Sequence, residues 1–294
     1  MTSFALWGAI ETGLVFAFVG IGVYLAFRIL DFPDLTVDGS FPLGGAVTAV
    51  LILGGWNPWA AMAAAAVAGA LAGLVTAALN VWFRILHILA SILTMTALYS
   101  INIRVMDRPN MPIMNAETVL TPFLHGTTPP AYIMRPIVLA VLVAIAVALV
   151  VLFLATDTGL AMRATGANKR MARAQGVRTG GMVFLGLALS NALVAVGGSL
   201  FTQTSRFADV TAGVGTIVVG LAAVIIGETL LPGRRILVAV IGCVIGSVIY
   251  RVAVQFALSA DFLGLQASDL RLVIAVLVAV ALILPRLRRG GSST

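Results

Sequence analysis

Residues 136–155, PIVLAVLVAIAVALVVLFLA, contain no charged, amide or hydroxyl side chain. A helix of about 20 residues crosses the ~30 Å hydrocarbon core of a bilayer, and this run has the length and composition to do so. Comparable runs fall at about 5–27, 59–82, 86–105, 181–203, 213–231, 236–258 and 269–285, with a shorter one at 43–54. A soluble domain carries about 25% charged residues. This 294-residue chain has 10%, against 61% hydrophobic residues and a mean hydropathy of +1.10, too little polar surface to fold in water. A span in contact with lipid must satisfy its own backbone hydrogen bonds, and the two-residue alternation of barrel strands is absent. The expected fold is therefore all-α, a polytopic transmembrane helical bundle of about eight to ten helices, some short or broken, forming one integral membrane domain over 1–294.

The cations set an orientation. Loop 156–180 holds Arg163, Lys169, Arg170, Arg173 and Arg178, the 231–236 turn holds Arg234 and Arg235, and the tail holds Arg286, Arg288 and Arg289. The 259–268 connection has only Asp261. By the excess of Lys and Arg on cytoplasmic loops, the first three and the C-terminus fall inside. The 82–87 turn with Arg84 and His87 is then inside, and the 106–135 connection outside. This topology accounts for the net charge of +7 without a nucleic-acid partner. The run at 43–54, about 12 residues or 18 Å of helix, is too short to cross alone. It follows Pro42 and is punctuated by Gly44, Gly45, Gly54 and Gly55, so it is either a half-helix or a span completed by irregular neighbours. The side on which Met1 lies depends on that choice. The opening MTSFALWGAIETG has neither a basic n-region nor a small-residue cleavage site and reads as a retained helix. Small-residue pairs Gly69/Gly73 and Gly242/Gly246 are spaced to let helix backbones approach closely.

Enzyme signatures are missing: there is no G-x-x-x-x-G-K-[ST], no H-E-x-x-H and no C-x-x-C. Cys243 is the single cysteine, so neither a disulfide nor a cysteine metal cluster is available within the chain. His87 and His125 lie apart at loops and read as polar contacts, and the methionines of MDRPNMPIM read as loop packing. Polar groups at membrane depth carry more weight. RILDFPDLTVDGSFPLGG places Asp31, Asp34, Thr36, Asp38 and Ser40 between the first helix and the short segment. Irregular polar backbone is tolerated there only inside protein or beside a water-filled cavity, and broken helices near the midplane are where transporters build substrate sites. The other reading is an acidic loop at the water interface. Glu228, in AAVIIGETLLPGRR, either pairs with Arg234 or Arg235 or faces a central cavity. Glu11, Asn191 and Gln203 are weaker candidates of the same kind, because a polar side chain in a membrane span needs a partner or a purpose.

The basic loop reads as local structure. Asn168 is a good N-cap and Gly176 a good helix stop, leaving Lys169–Gln175 as about two turns. Drawn as one helix, Ala164, Ala167, Met171 and Ala174 share a face, and Arg163, Arg170 and Arg173 share another. A short capped helix with a small-residue face suits the groove of another protein; the alternative is a basic loop anchored at lipid headgroups.

The same residues carry a resemblance. TDTGLAMRATGANKRMARAQGVRT is similar to the cytoplasmic loop of bacterial ATP-binding-cassette importer permeases of the branched-chain amino acid and ribose type. Their pattern is roughly T-x-x-G-x-x-x-R-A-x-G-x-N-x-x-A-A-x-x-x-G-I. Thr156 or Thr158, Gly159, Arg163, Ala164, Gly166, Asn168, Ala172 and Gly176 match it; Arg173 stands at the second alanine and Val177 at the isoleucine. LDFPDLTVDGSFPLGGAVTA resembles the family's G-I-D-L-S-V-G-S-x-x-A-L-x-G-A-V with Asp38 added, and AAVIIGETLLPGRRILVAVIGCVIG resembles its G-G-T segment with Glu228 at the second glycine. The D-L-T-V-D-G-S and G-E-T variants look closest to a branch associated with amino-acid import.

The resemblance implies a type II importer-like permease in a bacterial inner membrane, working as a pair of copies surrounded by lipid. ATPase subunits would carry the ATP and magnesium, so that this chain binds no cofactor and does no chemistry. A periplasmic or lipid-anchored substrate-binding protein would deliver a small polar solute, most readily an amino acid. Arg163, Gly166, Asn168, Arg170, Ala172, Arg173 and Gly176 would form the coupling helix that docks on the ATPase. Asp34, Thr36, Asp38, Ser40 and Glu228 would lie near the pathway. The rival is a secondary transporter or channel driven by an ion gradient, with Asp34, Asp38 or Glu228 carrying the ion.

Overall fold

The computed structural model describes residues 3–114, 116–124, 130–233 and 235–258. Helix α1 (Ser3–Val23) runs unbroken into a π-helical turn, Tyr24–Ile29. It is followed by α2 (Val37–Leu53), α3 (Pro58–Val81) and α4 (His87–Met106). A short strand β1 (Asn110–Pro112) and the one-turn α5 (Thr121–Leu124) lead to α6 (Ala131–Ala155). Two short helices, α7 (Asp157–Ala167) and α8 (Lys169–Ala174), precede α9 (Thr179–Ser205), β2 (Phe207–Asp209), α10 (Thr216–Leu230) and α11 (Ile236–Leu258). Among the described residues, 7 helical segments are long and apolar enough to cross a membrane, and α2 is a shorter apolar helix of 17 residues. The expected all-α bundle is present. The antiparallel ribbon pairing Met111 of β1 with Ala208 of β2 has too few residues to leave a pattern in the sequence. The apolar run 269–285, the tail arginines, Asp261, His125 and Arg234 lie outside the described residues.

Contacts between distant residues sort the helix ends into two groups. Gly166 in α7 packs on the Ile29 carbonyl at the end of α1. Arg28 pairs with Glu228 at the end of α10, and His87 at the start of α4 lines a cavity with Lys169 at the start of α8. We call this the basic end. At the opposite end the β ribbon joins the chain after α4 to the chain after α9. Leu53, closing α2, lines a cavity with Pro112 of the ribbon, and Phe4 near the start of α1 meets Tyr132 near the start of α6 with ring centroids 6.0 Å apart. Helix α1 therefore runs from the ribbon end toward the basic end, and α2 runs away from it.

The short segment is thus a span completed by irregular neighbours. Its helix begins at Val37, ahead of the apolar run, and contains Pro42. Proline has no N–H to give the carbonyl four residues back, here that of Asp38, and Gly213 packs directly on that carbonyl.

The innermost spans are α1 and α9, with 78% and 61% of their apolar windows buried, against 28% for α4 and for α6. The outer helices turn apolar faces to the surroundings, as in the α6 row Ile137, Val141, Ile145, Leu149 and Leu152, and suit contact with lipid chains. Without a hydrophobic driving force between helices in lipid, close backbone packing has to supply the association. Gly69 and Gly73 of α3 sit against Asn191, Ala195 and Leu187 of α9, and Gly44 of α2 against Ala195. Gly198 of α9 sits against Phe41, Gly242 of α11 against Gly227 of α10, and Gly246 against Ala223. Both small-residue pairs read from the sequence are used, one between α3 and α9 and one between α10 and α11.

A β-carbon at Gly44 or Gly198 would collide with backbone, whereas one at Gly181 meets nothing within 4 Å. Gly44→Val or Gly198→Val should therefore cost roughly 1–3 kcal/mol or more, the usual penalty of overpacking. Thermal unfolding of the detergent-solubilised protein is expected to show a lowered midpoint for both and little change for Gly181→Ala.

Candidate functional site

The irregular segment between the π-helical turn and α2 is polar and lies at mid-depth, because its partner Asn191 is near the middle of the 27-residue α9. Asp34 has no exposed surface. Its Oδ1 accepts from the Thr36 amide at 2.9 Å and its Oδ2 from Asn191 Nδ2 at 2.7 Å. Asn191 Oδ1 accepts from Ser40 Oγ at 2.7 Å, and Nδ2 also reaches the Leu187 carbonyl at 3.0 Å. Thr36 Oγ1 and Thr76 Oγ1 of α3 are 2.7 Å apart. Asp34, Thr36, Ser40, Thr76 and Asn191 are all fully buried, so this is a closed polar knot joining α2, α3 and α9. Farther toward the ribbon end, Thr48 donates to Ser199 at 2.7 Å, and Gln203 accepts from the Val119 amide at 2.8 Å.

The pathway candidates separate into three places. Asp34, Thr36 and Ser40 belong to the knot and are fully buried, which sets aside the reading of an acidic loop at the water interface. Asp38 lies elsewhere: its Oδ2 accepts from the Gly215 amide at 3.0 Å and its Oδ1 from the Ile217 amide at 2.7 Å. Gly215 precedes α10 with a φ of 83°. Asp38 therefore caps α10 from a different helix, supplying the anion that the positive end of a helix dipole favours. Glu228 is at the basic end, where Arg28 Nε donates to its Oε1 at 2.6 Å. Its described partner is thus Arg28 rather than Arg235. The α1 π turn and the end of α10 meet at that point, whereas Arg235 is exposed ahead of α11.

The basic loop is an elbow of two helices. Thr156 Oγ1 accepts from the Gly159 amide at 3.2 Å and caps α7. Asn168, with φ −157° and ψ 98°, ends α7 and opens α8, its Oδ1 accepting from the Arg170 and Met171 amides at 3.1 and 3.0 Å. Gly176 stops α8 with a φ of 82°. The cap and stop read from the sequence are in place, but the break at Asn168 dissolves the faces drawn for one continuous helix. Arg163 is half-buried beside the π turn, Arg173 Nε donates to Thr179 Oγ1 at 2.9 Å, and Arg170 is exposed. Ala172 is the buried residue of α8, while Met171 is 63% exposed together with Ala164, Ala167 and Ala174. Burial, with Arg173 alongside, holds the Lys169 ammonium below the usual lysine range. Gly166 carries the elbow onto the membrane part, since any side chain there would strike the Ile29 carbonyl.

Three participants were not picked out from the sequence. Arg28 ends the first apolar run and carried no signal beyond being a cation near a helix end. Thr76 is the one hydroxyl of α3, a signal of the same kind as Asn191. The π turn has no composition signature at all. Of the remaining sequence candidates, Glu11 is half-buried within range of the Arg135 charge. His87 packs edge-on against Phe32 at 4.5 Å. Met106 and Met111 pack in a small apolar cluster at the ribbon end. Among the described residues no group of three or more His, Cys, Asp or Glu is placed to hold a metal.

Known proteins resemble this chain along its length. The family described as "Branched-chain amino acid transport system / permease component" matches residues 6–284. The tyrosine transport system permease protein of Clostridioides difficile is 37% identical over 266 residues, covering 90% of this chain and 86% of that one. An uncharacterised protein of Rickettsia prowazekii is 30% identical over 279 residues, covering 93% and 95%. Among solved structures, PsaBC from Streptococcus pneumoniae in complex with Fab superposes with a TM-score of 0.54 over 96% of this chain and 91% of that chain. At 16% identity this likeness concerns the fold alone.

Removing one member of the knot strands the others. Asn191→Leu removes the amide donor to Asp34 Oδ2, and the expected loss is about 1–3 kcal/mol or more. Its thermal midpoint should fall, and adding Asp34→Leu should recover part of the loss. Asn168→Ala should cost about 1 kcal/mol locally, seen as faster amide hydrogen exchange over 169–174 with the spans unchanged.

Proposed function

Because this chain belongs to the family of branched-chain amino acid transport system permease components, we propose that it is the membrane-spanning subunit of an ATP-binding-cassette importer for an amino acid. The observation that carries this reading is the capped elbow α7–α8. Its Ala164, Ala167, Met171 and Ala174 are exposed, and it is keyed through Gly166 to the end of α1. A partner gripping the elbow acts directly on the most buried span of the bundle. By the distribution of Lys and Arg the elbow faces the cytoplasm, and the ribbon end, with the start of α1, faces outward. The C-terminus is assigned to the cytoplasm on its arginines.

Two copies of the chain would enclose the pathway. ATPase subunits with ATP and magnesium would dock on Arg163, Gly166, Asn168, Arg170, Ala172, Arg173 and Gly176 and their neighbours. A substrate-binding protein would meet the ribbon end and supply the cargo. This chain would hold no cofactor. An amino-acid cargo is supported by the Clostridioides difficile relative named for tyrosine transport. ATP-driven motion of the elbow shifts the balance between outward and inward access only if the ATPase binds the two states with different affinity.

The ion-gradient rival needs a carboxylate free to load a proton or sodium. Asp34, Asp38 and Glu228 are each already held by N–H donors, which favours the ATP-driven reading. Proteoliposomes holding this chain alone should take up no amino acid, and uptake should appear with the cognate ATPase, ATP and binding protein. Arg170→Glu with Arg173→Glu should cut uptake by about tenfold or more, the effect of losing 1.4 kcal/mol at the docking surface, while leaving the protein in the membrane. Uptake by the chain alone, or unchanged uptake in the well-expressed double variant, would overturn this assignment.

A further inference from the structure

A cavity of about 450 Å³ opens at the basic end where the π turn of α1 meets the elbow. Tyr24, Phe27, Arg28, Asp31, Arg163 and Gly166 are among its walls. Departures from regular structure build it. The backbone of α1 widens into a π-helix over Tyr24–Ile29, a local insertion found frequently at functional sites. Asp31 follows with a φ of 54°, in the left-handed region that aspartate enters more readily than most residues with a side chain. Gly166 then allows α7 to close against the Ile29 carbonyl.

The cavity carries charges of both signs. Arg28 gives only Nε to Glu228, leaving the two terminal nitrogens of its guanidinium to donate elsewhere. Arg163 is half-buried and forms no ion pair among the described residues. Exposed Asp31 supplies negative charge at the same cavity, and Glu228 adds another beyond Arg28. Tyr24 and Phe27 line the same cavity. A pure anion would find Asp31 repulsive, and a pure cation would find two guanidinium groups. A ligand bearing both charges a few bonds apart meets neither objection.

We propose that this cavity is a cytoplasmic-side site for the zwitterion of an α-amino acid, its carboxylate on Arg28 and Arg163 and its ammonium on Asp31. This rests on the reading of the chain as an amino-acid importer. It extends that reading, because the ligand bridges α1 to the elbow. Cargo accumulated inside the cell would bind at the joint through which the elbow moves α1 and slow further import.

The test uses the purified full chain in nanodiscs of a zwitterionic phospholipid, with thermal unfolding followed in the presence of each natural amino acid. A ligand that binds only the folded state raises the midpoint in proportion to its occupancy. At least one amino acid is expected to do so. Its decarboxylated amine and its N-acetyl derivative, each lacking one charge, should not. Arg163→Gln and Asp31→Asn should each weaken the apparent affinity about tenfold, and Arg163→Lys should weaken it less. The proposal is overturned if no amino acid shifts the midpoint, if the single-charge analogues shift it equally, or if both substitutions leave the affinity unchanged. It is also overturned if nanodiscs of anionic phospholipid abolish the shift, which would give the cavity to a lipid headgroup. ATP-driven amino-acid uptake by the complete importer alongside any of these negative results would leave the importer reading standing and remove the site alone.

Discussion

The bond from Asn191 to the Asp34 carboxylate is the constraint around which the bundle is arranged. Residues 30–36 abandon regular helix at a depth where no water is available to receive their polar groups. They are tolerated because Thr36, Thr76, Ser40 and Asn191 close on Asp34 and on one another with every member fully buried. The knot also aims α2. With Asp34 held at the middle of α9, a helix of 17 residues suffices to reach the ribbon end. Asp38, four residues on, is brought to the start of α10 and serves as its cap.

Around that point the packing is of backbone on backbone. Gly44, Gly69, Gly73 and Gly198 bring α2 and α3 against α9 so closely that any side chain would strike a neighbouring helix. Lipid chains compete on equal terms with apolar side chains for a helix surface, so contact at this distance and interhelical hydrogen bonds select one arrangement over others. The same device appears at the basic end, where Gly166 seats the elbow on α1. A rigid joint of this kind transmits displacement between the loop and the buried core, whereas a loop joined through flexible side chains would absorb it.

Much of this was readable beforehand, for identifiable reasons. Asn168 and Gly176 announced the start and stop of α8 because capping depends on the residue type at one position. The paired glycines announced close approach because only a missing side chain permits it. The faces drawn on the loop failed because one residue, Asn168, redirects the chain, and helical spacing holds only within a continuous helix. The partner of Glu228 was sought among the nearest arginines in the chain, and it came from Arg28, 200 residues away. The aspartates of the broken segment look alike in sequence, yet one is sealed in the knot, one caps α10 and Asp31 lines an open cavity.

What the sequence by itself determined is the class of molecule, the approximate places of its spans and the local signals at their ends. Hydrophobic run length, capping and glycine spacing act over a few residues or a few turns. What only the tertiary structure decided is which helix each polar residue faces, the direction of α1 relative to the elbow, and the meeting of the π turn with the elbow. Those outcomes depend on hydrogen bonds and close contacts between residues 40 to 200 positions apart, such as Thr36 with Thr76 and Arg28 with Glu228. In a bilayer each buried polar group must find such a partner, and the local pattern does not say which of several candidates it will be.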